Sequence, residues 1–388
     1  MRVLVIASRP TDGDRGDPSP PAVLVRGLLE RGHEVHLVCD ASEPMRSYDA
    51  LTVWTVRPER SLVKPQFASR ARAAARAVKP QLVLAERTHL ATGWSVTKRF
   101  GGTLIPLLSE DGDRGGSAVS NAARVLDAKL IRGAPACVAC GPSQADAALQ
   151  DGAQRVIELP GISSIDPIDR PPSGWLRRHL KLDRGVLAIA WGDLSPDDGT
   201  DILIEGVKGA ADADHDVHLA VFGGDETTVD RYDAKAQRLG IHDRVHLLGG
   251  WHASKLDTLL PEGDMLIDAS IRPHRAPRAL YSFLASHRPV ILTEALGRER
   301  FADPKACVIT PADRLGIGHA LSQLAANESA RSHYADAGRR AAAARHTFDA
   351  FIAALEPLER LVASGPRSAT PGTDATTAEA GRASGMSA

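Results

Sequence analysis

No stretch of this sequence runs to 18 apolar residues, cysteine occurs four times, and neither sign of charge predominates. The first lack excludes a membrane-spanning helix, which needs roughly 20 such residues. The opening "MRVLVIAS" carries six apolar or small residues after Arg2 before Arg9 and Pro10 interrupt it, too few for a signal-peptide core. The chain is therefore expected to be soluble and cytoplasmic. Scarce cysteine excludes a secreted disulfide framework. Cys137 and Cys140 spell a C-x-x-C, but they sit in the strand-like "APACVACGP", where residues three apart point to opposite faces and cannot bridge. No second Cys/His pair stands at ligand spacing, so all four, Cys39 and Cys307 included, read as structural thiols, and no metal site is expected. Balanced charge, 47 basic against 48 acidic residues, excludes the basic field that would make nucleic acid the main partner. A small molecule or another protein fits better.

What the sequence does have is alternation. Short β-branched runs exchange with amphipathic or Ala-rich helical stretches, the pattern of parallel sheets covered on both faces. Strands are expected over residues 2–8, 34–40, 50–56, 81–86, 103–110, 136–141 and 155–159. After the Pro/Gly/Ser-rich "GISSIDPIDRPPSGW" the pattern resumes with "GVLAIAWGDL" and with residues 218–222, 244–249, 265–270, 289–293 and 306–310. The expected fold class is α/β, with a doubly wound Rossmann-like domain over 1–165, a linker over 166–180 and a second such domain over 181–345. A C-terminal helix over 346–363 is expected to cross back to the first domain. The tail over 364–388 is too poor in bulky apolar residues to offset the entropy of ordering, and is expected to be disordered. The helix "ASRARAAARAVK" (Ala68–Lys79) carries basic residues and no acid, which makes it a candidate for weak peripheral contact with an anionic membrane; without large apolar residues it also reads as a solvated helix face.

Several stretches fall in a recognisable order. "MRVLVIAS" leads through "LVRGLLERGHEVHLV" to "ACVACGPSQADAALQDGAQRVIELPG", then to "GDLSPDDGTDILIEGV", "LGIHDRVHLLGGWHASKLDTLLPEGDMLIDAS" and "SHRPVIL". Together they resemble the family-4 glycosyltransferases, enzymes of GT-B architecture in which two Rossmann-like domains face across a cleft. The resemblance implies a nucleotide-sugar donor bound mainly by the second domain and an acceptor, a small molecule, lipid or glycan, bound mainly by the first. It implies transfer with retention and without a bound metal, the nucleotide sugar being a co-substrate, so that no separate cofactor is expected.

The site residues carry that expectation unevenly. A donor diphosphate needs fixed cations or helix amides because charge develops on it as the glycosidic bond breaks. The family supplies an Arg and a Lys in its "GRLSPEKG" loop; the matching residues here are Asp193 and Asp198. The family's Glu, seven residues, Glu signature falls on His274 and Ser282, and Ser282 can satisfy one ribose hydroxyl where a carboxylate takes two. Arg272, Arg275 and Arg278 crowd the same segment, ahead of a helix expected to start near Pro277, and guanidinium groups are bidentate phosphate ligands. They are the candidates to replace the missing cations. Gly192, Gly223 and Gly224 end strands, where bare backbone lets a nucleotide approach.

On the acceptor side the loop "RPTDGDRGDPSPPAV" is made permissive by Gly13 and Gly16, while Asp12, Asp14 and Asp17 suit a polyol. Glu110 and Asp111 stand where the family often has a His, and are the catalytic candidates: either could orient the acceptor hydroxyl or stabilise positive charge on the sugar ring. Glu86, Arg87 and His89, after the strand "QLVLA", are further acceptor candidates. The altered donor positions leave a second reading open, a catalytically silent homologue that binds a glycan, a nucleotide or a partner subunit. A third, a sugar-nucleotide epimerase of the same architecture, needs the same diphosphate site.

Overall fold

The computed structural model describes residues 1–7, 20–40, 50–56, 65–109, 121–192, 194–250, 255–271, 279–295 and 301–363. Seven strands form the first sheet: β1 (Arg2–Ile6), β2 (Glu34–Asp40), β3 (Leu51–Val56), β4 (Leu82–Glu86), β5 (Thr103–Leu108), β6 (Cys137–Ala139) and β7 (Val156–Glu158). Six form the second: β8 (Val186–Trp191), β9 (Val217–Phe222), β10 (Val245–Leu247), β11 (Met265–Asp268), β12 (Val290–Thr293) and β13 (Val308–Thr310). Their orders are β3-β2-β1-β4-β5-β6-β7 and β10-β9-β8-β11-β12-β13, with every pairing parallel. The chain thus reverses its direction of growth between β1 and β4, and again between β8 and β11. At such points the crevice at the carboxyl ends of the strands is open to ligand. The architecture is GT-B, as the sequence led one to expect.

The strands are apolar at successive positions because both faces are covered. Val3 and Val5 join one buried cluster and Leu4 and Ile6 another. In the second sheet Leu187, Ile189 and Trp191 divide from Ala188 and Ala190 in the same way. The C-x-x-C obeys the same rule: Cys137 lies in one cluster, Cys140 packs against the other, and neither is in a disulfide. Burial pushes the Cys137 thiol up to about 12, with Asp151 adding to the effect, so it stays protonated and unreactive at neutral pH.

The helix Pro65–Val78 shows why a basic, Ala-rich stretch can still be amphipathic. Phe67, Ala71, Ala74, Ala75 and Val78 recur at helical spacing and are buried in the first domain, leaving Arg70 and Arg76 exposed. With its apolar stripe taken up by the protein, the outer face offers a lipid surface charge alone.

The last two helices, Phe348–Ala354 and Glu356–Ala363, pack back on the first domain. Phe351, Leu355 and Leu358 are buried in one cluster with Val3, Val5 and Leu24. Glu359 is ion-paired with Arg31 and lies 2.7 Å from His33 Nε2; these partners hold its carboxyl below the usual range.

A buried imidazole pair gives the second sheet a pH dependence. His218 on β9 and His246 on β10 stack with ring centroids 5.7 Å apart. Burial lowers both pKa values, that of His246 to about 4, the neighbouring His218 adding to the fall. A folded value below the unfolded ~6.5 means the unfolded chain takes up the proton first as pH falls. The pair's contribution is fully present above pH ~6.5 and is lost as pH falls toward about 4. His346 is lowered by burial too and acts in the same direction. Urea unfolding at pH 7.5 and pH 4.5 should therefore show His246→Phe losing on the order of 2–3 kcal/mol less than the wild type across that interval. Equal losses would mean that His246 is protonated at no cost in the folded state.

Candidate functional site

The described site residues near the two carboxyl edges are committed in ways the sequence did not foretell. At the end of β4, beside the first reversal of strand order, Glu86 is fully buried and its Oε1 accepts a 2.9 Å hydrogen bond from Ser109 Oγ. Ser109 directly follows β5, one residue before the expected Glu110. It was missed because its importance comes from the pairing of β4 with β5, and pairing is not written in either segment alone. His89, 3% exposed, stacks on Phe67 with centroids 4.1 Å apart. Arg87 turns to the protein instead: its Nη2 is 2.8 Å from Asp151 and its Nε 4.0 Å from Asp127. Burial raises the Asp127 carboxyl while Arg87 holds it down. Arg87, expected on the acceptor, is thus engaged in a structural ion-pair cluster. Asp12, Asp14, Gly13, Gly16 and Asp17, with Glu110 and Asp111, lie outside the described residues.

In the second sheet the three glycines serve the backbone first. A Cβ on Gly223 would lie 1.5 Å from the carbonyl oxygen of Gly192, and Gly223 has φ +131°. The ends of β8 and β9 therefore cross closer than any side chain allows. Gly224 packs in the same manner on Leu194, 2.6 Å from where its Cβ would be. The expectation was that a nucleotide approaches here; in this structure the group that lies close is neighbouring chain.

Asp198, at the position of the family's Lys, closes a capping box: its carboxylate accepts from Ser195 N at 3.0 Å. It caps the short turn Pro196–Asp198, whereas the following helix, Thr200–Asp212, starts at Gly199 without a side-chain cap. Part of its charge is answered by that amide. Asp193 and the segment with Arg272, His274, Arg275 and Arg278 lie outside the described residues.

Ser282 departs from its expected role. It is fully buried, its Oγ accepts from Ser164 N at 2.9 Å, and Ser163 Oγ is 3.3 Å away. The hydroxyl expected on a ribose ties the helix Leu280–Ala285 to the segment that follows β7 instead. Nearby, the Tyr281 ring lies 4.4 Å from that of His346, whose Nδ1 is 2.8 Å from Gly161 O. A Cβ at Gly161 would fall 2.0 Å from the Tyr281 ring. The segment after β7, the second domain and the end of the helix Glu328–Arg345 are thereby knotted at one place. Sequence pattern could not signal this, because the partners are over 100 residues apart.

Among the described residues no group of three His, Cys, Asp or Glu side chains could hold a metal ion. None of their helices is long and apolar enough to cross a membrane.

Residues 186–327 match the family model described as "Glycosyl transferases group 1". No curated protein sequence matches the chain. Among solved structures, HepE of Anabaena in complex with UDP superposes with a TM-score of 0.75 at 16% identity, covering 94% of this chain and 100% of that one. Sucrose-phosphate synthase from Thermosynechococcus elongatus gives 0.72 at 15% identity, covering 94% and 99%. A glycosyltransferase from Rickettsia africae gives 0.73 at 13% identity, covering 94% and 99%. At such identities the likeness establishes the fold.

Proposed function

We propose that the chain is a glycosyltransferase that moves a sugar from a nucleotide-activated donor to an acceptor bound in the cleft, with retention at the transferred carbon. The observation that carries this reading is the extent of the family match, which runs from β8 through the helix Arg314–Ala326 and so spans the second sheet with its reversal at β8/β11. HepE has been crystallised with UDP and with UDP-glucose, which makes uridine diphosphate sugars the first donors to try.

In this reading Arg272, Arg275 and Arg278 take the diphosphate, where leaving-group charge develops, and His274 contacts the donor sugar. Gly192, Gly223 and Gly224 form the closely packed floor beneath. Glu86, buried at the first reversal of strand order, and Glu110 and Asp111 are the carboxylates this reading assigns to the acceptor. A carboxylate there orients the attacking hydroxyl and opposes positive charge on the ring as the donor bond breaks.

One specific observation favours the second reading, a silent homologue that binds a partner or ligand. At two positions where the family uses charge on the donor, Asp198 is hydrogen-bonded as a cap and Ser282 is sealed against the segment after β7.

Calorimetry with a panel of nucleoside diphosphates and their sugars separates the two. The enzyme reading expects binding by the wild-type chain, weakened about tenfold or more in Arg275→Ala and Arg278→Ala, since each would lose a charge-assisted contact. Absence of binding across the panel, with hydrolysis or transfer also undetectable, would leave the silent homologue.

A further inference from the structure

A cavity bordered by both halves of the described chain lies where the segment after β7, the second sheet's helices and the returning helices meet. It encloses about 910 Å³. Its floor comes from the ends of β6 and β7 at Gly141 and Glu158, its wall from Tyr281, Leu284 and Phe301, and its rim from the helix Glu328–Arg345.

Three cations border it: Lys305, Arg340 and Arg345. None of them is in an ion pair among the described residues. This contrasts with Arg31, Arg87, Arg177 and Arg244, each held by a carboxylate. The acids facing the same space are Glu158 and Asp303, and Asp336 lies one helical turn before Arg340, where its carboxylate is shared with His287. Burial raises the Glu158 carboxyl, which weakens its opposition to an anion, and His346, also on the lining, is kept neutral by burial.

The helix Pro142–Gln150 begins at this cavity, Gly141 and Pro142 both lying on its lining. Pro142 has no amide N–H and Ala145 N donates to Gly141 O at 3.1 Å, so the amides of Ser143 and Gln144 are the ones that open this helix at the positive end of its dipole. Beside them Gln144 is 6% exposed, and its Oε1 has no hydrogen-bond partner among the described residues. That atom is 3.2 Å from where a Cβ on Gly141 would lie, and Phe301 is next to it. A buried carbonyl oxygen left without a donor costs stability unless water or a ligand hydroxyl supplies one, so this atom suits the hydroxyl-bearing part of a ligand and not its anionic head.

We propose that this cavity is a second ligand site, distinct from the donor edge at β8/β11, and that it takes a phosphate ester whose anionic head is held by Lys305, Arg340, Arg345 and the opening amides of the helix Pro142–Gln150. Several cations around one group suit a dianion with three acceptor oxygens better than a single carboxylate. The apolar wall of Leu284, Phe301 and Leu159 suits the organic part of the ester. An occupant here touches residues of both sheets' halves and the returning helices at once.

The test uses the full chain with the donor cleft saturated by UDP, titrated calorimetrically with glycerol 3-phosphate, with glycerol at equal ionic strength as the control. The proposal expects glycerol 3-phosphate to bind where glycerol does not, with affinity weakened about tenfold or more in Arg340→Gln/Arg345→Gln. Both side chains are exposed, so the double variant should melt as the wild type does, and Lys305→Gln provides a second, independent variant. UDP affinity should be the same in all three proteins. No binding by the wild type, or equal affinity in the variants, overturns the proposal. Should UDP itself not bind, the same titrations run without it still report on this cavity, so the two readings fail separately.

Discussion

Gly223→Ala is expected to destabilise the protein by about 4 kcal/mol, the sum of backbone strain and overpacking. Its φ of +131° disfavours any L side chain, and the added methyl would lie 1.5 Å from Gly192 O. The obstacle is backbone at the end of β8, itself paired with β9 and β11 on either side, so it cannot rotate away as a side chain would. Gly249 is the internal control. Gly223 N donates to its carbonyl at 2.6 Å, and it too has positive φ, +69°, but a Cβ there meets nothing within 4 Å. Gly249→Ala should therefore cost only the left-handed penalty of about 1–2 kcal/mol. Urea unfolding of both variants is the measurement. Equal losses would show that the ends of β8 and β9 do not cross as closely as described.

Arg288→Met should cost about 3–5 kcal/mol, the range for removing one partner from a buried charged network. The guanidinium is largely buried and gathers four carbonyl oxygens: Gly263 at 2.9 Å, Pro261 at 2.8 Å, His287 at 2.8 Å and Arg170 at 3.1 Å. Burial lowers its pKa, against the pull of Asp169, Asp264 and Glu262. Methionine fills comparable space but leaves every one of those oxygens without its donor. Arg288→Lys should recover only part of the loss, because an ammonium on a flexible stem cannot reproduce the planar fork. Since Arg170 belongs to the linker, proteolysis near residues 161–175 should accelerate in the Met variant along with the fall in unfolding midpoint. A variant within about 1 kcal/mol of wild type and no more readily cleaved would remove Arg288 as the clip between linker and second domain.

These two residues mark the limit of what could be read in advance. Gly223 stood out in sequence because a glycine after a strand permits close approach, and close approach is what the structure has. Whether the visitor was ligand or chain depended on where β8 ended relative to β9. Arg288 served in the sequence only as part of the stretch "SHRPVIL", since an arginine before a strand looks the same whether solvated or clamped to four carbonyls. Ser282 and Arg87 follow the same pattern: the residue type was suited to a ligand, and a partner distant in sequence had already taken it. Lys305, Arg340 and Arg345 drew no attention, because they come from separate segments and only the folded chain brings them to one cavity.

The architecture was legible because it rests on local periodicity. A strand covered on both faces must be apolar at successive positions, and a helix on a sheet must repeat its apolar residues every three or four, so thirteen strands and their intervening helices are written in short windows. What only the tertiary structure decided is which polar and glycine residues face a ligand and which hold the chain to itself. That choice depends largely on contacts between separate segments, from Gly192 to Gly223 and Arg87 to Asp151 up to Ser164 to Ser282 and Gly161 to His346, and no short window of sequence contains both partners of these pairs.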